Sequence, residues 1–222
     1  MIKAFWKFFE LKENKMRQKI FSINNFFPYD VPLGNLSYTV LDIETTGLKP
    51  YHGDEIISLG AVKIINLQIS RPALHAYVNP KRELPQTIQN LTGIKPAMLK
   101  NAPPLSKTLN SFLDYAQNTI LVGHSLNFDL AFLNKHLIPL TGKKLSPKFL
   151  DTLDLGMYLF PHEKSYALEA FARKFAVDLK GRHTALGDAV ICAKVFLNFL
   201  KILEKININT WWKLSRELYK VL

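Results

Sequence analysis

At 222 residues with 48% apolar side chains, the chain is long enough for one globular domain and too apolar for intrinsic disorder. A single cysteine, Cys192 in Val190-Ile191-Cys192-Ala193, excludes an internal disulfide framework and fits a reducing compartment. The formal charge of +11 is spread along the chain, a diffuse field that suits a polyanion such as nucleic acid and equally a well-solvated surface.

The opening residues are short, apolar and broken by lysines, without the uninterrupted apolar core and cleavage site of a signal peptide. No run reaches the ~20 apolar residues of a membrane span. The expectation is a cytoplasmic protein with no membrane insertion. Nothing near Cys192 lowers a thiol pKa, so core packing is its expected role.

In chain order, residues 1–36 read as an extension: a basic amphipathic helix with aromatic residues, then the turn-rich run from Asn24 to Gly34. Packing on the domain is its expected fate. The core domain is placed at 37–203. Ser37 to Leu41 is a buried strand, followed by strands over Ile56–Ile65 and Leu74–Asn79 whose short connection predicts an antiparallel meander. Pro80 to Pro104 reads as irregular, with one helical turn around Pro96–Leu99.

Helical periodicity covers Leu105–Ala116, a buried strand Thr119–Gly123, a helix about Asn127–Leu137, and a short strand Phe149–Leu150. Helices over Tyr166–Phe175 and Ala185–Leu203 close the core. Residues 204–222 carry a further amphipathic helix around Asn209–Leu214. The order βββαβαβαα implies an α/β fold, a mixed sheet with helices on its faces, which gathers ligands at the C-terminal ends of its strands.

Three clusters carry chemistry. In Leu41-Asp42-Ile43-Glu44-Thr45-Thr46-Gly47-Leu48, Asp42 and Glu44 lie two apart beyond a strand and so point to one face. Buried like charges at that spacing call for a cation or a proton; a strand end solvated beside lysines is the alternative. Asp129 lies in the first turn of the helix after Gly123, where an acid also complements the helix dipole. In Arg182-His183-Thr184-Ala185-Leu186-Gly187-Asp188, Thr184 is the expected N-cap, with His183 just outside and Asp188 in the second turn. His183 is either incidental or a base whose pKa lies near working pH.

These clusters resemble the three exonuclease motifs of the DEDDh, or DnaQ-like, 3′–5′ exonucleases, a family that includes proofreading epsilon subunits of bacterial DNA polymerase III. The motifs are Asp42 to Leu48, His124 with Phe128-Asp129, and His183 with Asp188-Ala189, and the resemblance covers about residues 37–200. One position departs: Ser125 stands where many members carry asparagine after the histidine.

The resemblance implies a ribonuclease H-like, five-stranded mixed sheet and two divalent ions, Mg²⁺ or Mn²⁺. It assigns metal-ligand roles to Asp42, Glu44, Asp129 and Asp188, and the general base to His183. Substrate contacts are implied for Thr45, Thr46, Gly47, Leu48, Leu91, Thr92, His124, Asn127 and Phe128. For Leu91 and Phe128, core packing is the competing role. The implied reaction removes nucleoside 5′-monophosphates from single-stranded 3′ ends, with DNA favoured, RNA trimming as the runner-up, and a DNA polymerase subunit as a further partner. An inactive nucleic-acid-binding module is the reading from another class. Lys143, Lys144, Lys148, Lys174, Lys180 and Arg182 flank the third motif and form a candidate backbone-guiding patch or a solvated face.

Overall fold

A computed structural model describes residues 2–26 and 29–218, with side chains from residue 13 onward. The amino-terminal aromatic residues singled out above, and Phe27-Pro28 of the turn-rich run, lie outside the described side chains.

Five strands form one sheet: β1 (Tyr38–Thr45), β2 (Ile56–Ile65), β3 (Gln68–Tyr77), β4 (Ile120–Gly123) and β5 (Phe149–Asp151). Their order is β3-β2-β1-β4-β5. The first three pair antiparallel as a meander, and β4 and β5 join parallel. This is the mixed five-stranded sheet expected, with β1 at its centre. Strand β3 begins earlier than the expected Leu74, because Gln68 to Pro72 is polar and holds a proline; on an edge strand neither is excluded.

Period-two alternation along β1 divides the core. Tyr38 and Val40 join the cluster formed with α7 (Leu168–Lys174) and α8 (Ala185–Lys205), through residues such as Phe171, Phe196 and Phe199. Leu41 and Ile43 join the opposite cluster, with α4 (Leu105–Tyr115) and α5 (Leu126–Thr141) through Phe112, Phe132 and Leu133. By that alternation Asp42 and Glu44 continue the Tyr38–Val40 face, toward α8.

Helix α1 (Ile2–Asn25) lies against α4 and α5. Met16, Ile20 and Ile23, spaced four and three apart, bury one stripe in the second cluster. Polar anchors reinforce it: Lys19 pairs with Asp114 at 2.6 Å, and Arg17 Nε donates to the Thr141 carbonyl at 2.7 Å.

The irregular stretch expected between Pro80 and Pro104 contains two short helices, α2 (Gln86–Thr92) and α3 (Pro96–Lys100). The first is framed by Pro85 before it and Gly93 (φ +71°) after it, a start-and-stop pair readable in the sequence. A further helix, α6 (Thr152–Leu159), follows β5 without a loop; its N-cap is Asp151, whose side chain accepts from the Leu153 N–H. Helix α9 (Trp211–Leu218) ends the described chain and buries Trp211 and Leu214.

Candidate active site

The two motif-one acids sit inside β1, not beyond it, because the strand runs on to Thr45. Asp42 pairs with Gly60 across β2. A Cβ on Gly60 would lie 2.3 Å from backbone atoms of Ala185 and Leu186. Glycine there lets the start of α8 settle onto the sheet at the level of Asp42, and this contact delivers Asp188.

The capping of α8 follows expectation. Thr184 is the N-cap, and its hydroxyl accepts from the Gly187 N–H at 3.1 Å. Asp188 falls in the first turn, one turn earlier than expected, since Ala185 is already helical. Gly187 is compelled by contact: a Cβ would collide with the Gly181 carbonyl oxygen. The loop is thereby folded against the helix start, with His183 in the left-handed region at φ +62°. A non-glycine residue held there is uncommon and marks a place where surrounding packing overrides local preference. The His183 N–H donates to Asp188 Oδ2 at 3.2 Å, and its imidazole is half-buried.

Carboxylate oxygens of Asp42, Glu44 and Asp188 all come within 4.8 Å of one another. Asp129 arrives from the opposite face of the sheet and accepts from the Ile43 N–H at 3.0 Å, between the two motif-one acids. Burial, then repulsion from Asp129, Asp188 and Glu44, holds the Asp42 carboxyl well above its ordinary range. Burial and Asp188 push Glu44 up to about 7. Asp129 and Asp188 are raised as well, each chiefly by burial. Acids raised chiefly by burial, with repulsion added at Asp42, Glu44 and Asp129, are poorly compensated by the protein itself.

One atom makes the point directly. Asp188 Oδ1 is buried and has no hydrogen-bond partner. A buried charged oxygen without a partner is costly, and hard oxygen donors of this kind suit a divalent cation. The donor set therefore fits the metals that the motifs imply.

The remaining expected contacts fall around this cage in different ways. Thr45 Oγ1 donates to the Gly47 carbonyl at 2.6 Å, and Thr46 Oγ1 to Asp54 Oδ1 at 3.2 Å. Asp54 also accepts from the Lys49 N–H and lies where a Cβ on Gly47 would be, so it shapes the turn. Leu48 is 78% exposed and Leu91 51% exposed, so neither is a core residue. Phe128 is half-buried and packs on Phe132 at 5.0 Å. Asn127 is exposed. Thr92 is buried; its hydroxyl donates to the Ile88 carbonyl and accepts from the Ile94 N–H, which closes α2.

His124 Nδ1 lies 2.9 Å from Thr152 Oγ1, and burial lowers its pKa. Ser125, the departure from the family pattern, stands at φ +64°, where asparagine is accommodated more easily. Its N–H and that of Leu126 donate to the two oxygens of Asp151 at 2.9 and 2.7 Å. Asp151, Asp54 and Glu169 were not singled out from the sequence. Asp151 had a readable signal, an acid directly before a helical run; the other two act through distant partners that no local pattern announces. Among the candidate guiding cations, Lys174 pairs with Glu163 at 2.5 Å and Arg182 pairs with Glu169 and Asp188. Cys192 is buried against Thr152, which accords with packing.

The structure thus brings Asp42, Glu44 and Asp188 into one cluster, with Asp129 bonded to the strand backbone between the first two and the His183 loop alongside. Comparisons with known proteins place the chain in a family. The family model described as Exonuclease (RNase_T) matches residues 39–196, and the chain belongs to this family of DnaQ-like exonucleases. It is 36% identical over 173 residues to the DNA polymerase III subunit epsilon of Rickettsia typhi, covering 74% of each chain. It is 39% identical over 173 residues to a PolC-type DNA polymerase III of Caldanaerobacter subterraneus, covering 78% of this chain and 12% of that protein. The chain thus spans only a small part of the PolC-type relatives it matches.

Among solved structures, the nuclease domain of 3'hExo, a DEDDh member bound to rAMP, superposes with a TM-score of 0.66 at 20% identity, covering 79% of this chain and 94% of that one. Exonuclease X in complex with 5′-overhanging duplex DNA gives 0.62 at 20% identity, with 74% and 92% covered. At such identity these likenesses speak to the fold alone. Among the described residues no helix is long and apolar enough to cross a membrane.

Proposed function

We propose that this chain is a metal-dependent 3′–5′ exonuclease that acts on single-stranded 3′ ends of DNA and releases nucleoside 5′-monophosphates. The observation that carries the proposal is the convergence of Asp42, Glu44 and Asp188, one of whose oxygens, Asp188 Oδ1, is buried without a partner.

Asp42, Glu44, Asp129 and Asp188 would hold two divalent ions, Mg²⁺ or Mn²⁺. Such ions, when bound, supply the charge neutralisation at phosphorus and at the leaving oxygen that hydrolysis needs. His183 takes the proton of the attacking water on its imidazole. Water oxygen bonds to phosphorus, the P–O3′ bond breaks, and the leaving O3′ takes a proton from solvent, so the penultimate nucleotide departs with a 3′-hydroxyl. Leu48, Leu91 and Phe128 present apolar surface for the terminal base and sugar, and Thr46 and Gly47 the backbone turn beside them. The epsilon-subunit likeness over 74% of both chains supports DNA as substrate and a DNA polymerase subunit as partner.

The test uses 5′-labelled single-stranded DNA, mismatched duplex and short RNA with Mg²⁺ or Mn²⁺, beside an Asp42→Ala control. Stepwise shortening of DNA from the 3′ end, absent in the control, is the expected result. Preference for RNA would transfer the chain to RNA trimming, and no cleavage with either metal would overturn the enzyme reading.

A further inference from the structure

Arg182 does something that neither the motifs nor the family assignment gives it. Its guanidinium bridges two acids with different surroundings. Nε and Nη2 donate to Glu169 Oε1 at 2.7 and 2.5 Å, and Nη1 donates to Asp188 Oδ2. Glu169 lies in the first turn of α7, at the rim of the site, with its side chain 25% exposed; the Asp188 side chain is 4% exposed, inside the cage. Arg182 sits between two residues in left-handed conformations, Gly181 (φ +87°) and His183 (φ +62°).

Two of the three hydrogen bonds go to Glu169 and one to Asp188, so the guanidinium is anchored at Glu169 and reaches the cage with a single edge. It occupies one oxygen of a residue whose other oxygen has no partner. A planar, permanently charged fork can keep one carboxylate while releasing the other, which a lysine cannot do with the same geometry.

We propose that Arg182 is a displaceable counter-cation of the acid cage: tethered by Glu169, it holds Asp188 when no metal does, and it competes with a divalent ion for that carboxylate. The inference rests on the proposed metal-dependent reading of the site. Arg182 is then a positioning residue that sets how tightly metal binds, and metal binding is coupled to the freeing of its Nη1 edge.

Titration calorimetry of the full chain with Mn²⁺ alone, without nucleic acid, separates the two. In Arg182→Gln, Mn²⁺ is expected to bind at least about tenfold more tightly, the equivalent of losing one charge-assisted hydrogen bond as a competitor. The same variant should lose melting temperature without metal and recover it with saturating Mn²⁺. Arg182→Lys, which keeps the charge but not the fork, should fall between wild type and Gln, and stands in should the Gln variant not fold. Affinity unchanged or weakened in both variants, with wild type binding Mn²⁺, would overturn the counter-cation role alone. Failure of wild type to bind Mn²⁺ would sink the metal reading beneath it.

Discussion

Two buried aspartates, each beside a helix start, divide the labour at this end of the sheet. Asp151, at the end of β5, is 5% exposed, and its oxygens accept the N–H groups of Ser125, Leu126 and Leu153. It fastens the β4–α5 turn to the start of α6. Asp188, at the start of α8, is 3% exposed, yet one of its oxygens has no partner and the other is shared by Arg182 and the His183 N–H. The first region is satisfied from within; the second is left in want of positive charge. Asp151 and Asp188 thus differ less in burial than in whether every oxygen finds a donor.

That contrast is broken most sharply by activity. Asp188→Ala should lower turnover by about 10³-fold or more, the equivalent of several kcal/mol of transition-state stabilisation. Its metal-free melting temperature should hold or rise, because a repelling buried charge is gone. Asp151→Ala should do the opposite in stability: three N–H groups lose their acceptor, a cost of about 2–4 kcal/mol, or roughly 4–16 °C in a chain of this size. Thermal denaturation and single-strand digestion of the two variants side by side provide the check. Equal stability losses would erase the distinction.

The pH dependence sharpens it. In the metal-free protein Glu44 titrates near 7 and Asp42, Asp129 and Asp188 titrate above their ordinary values. The folded state therefore binds protons that the unfolded chain has already released. Stability without metal is expected to fall as pH rises from the ordinary carboxylate range, about 4.5, through about 7. Divalent metal should flatten that fall by taking the place of the protons. Melting curves in EDTA and in Mn²⁺ across this range decide it; parallel curves would mean that divalent metal does not take the place of those protons.

The strands and the acids proposed to hold metal were legible in the sequence because both leave local patterns. Alternation exposed β1, and two acids two apart on it, with Asp129 after a strand and His183 before a capped helix, were readable from spacing. What stayed hidden depends on distant partners. Glu169 matters only because the loop bearing Arg182 folds onto α7, and Asp54 only because Gly47 and Arg82 meet it. Helix α6 was missed for a different reason: it begins at once after β5, so no loop residues separated the two elements. Strand β3 was shortened because Pro72 reads as a breaker where an edge permits it.

Gly60 gives the smallest effect and the most direct probe of how the sheet presents Asp188. Its backbone conformation requires no glycine, since φ is not in the left-handed region. The constraint is the 2.3 Å that a Cβ would leave to the first residues of α8. In Gly60→Ala that backbone must retreat, at an expected cost of about 1–3 kcal/mol, the range for overpacking a filled contact. The helix start carries Asp188, so retreat widens the cage. The variant should fold, keep its far-ultraviolet spectrum, and bind Mn²⁺ several-fold more weakly, whereas an equally destabilising change remote from the site, Leu203→Val, should leave Mn²⁺ affinity unmoved. Equal affinity in the two variants would mean that α8 is positioned by its buried length along the sheet, not by its first turn against Gly60.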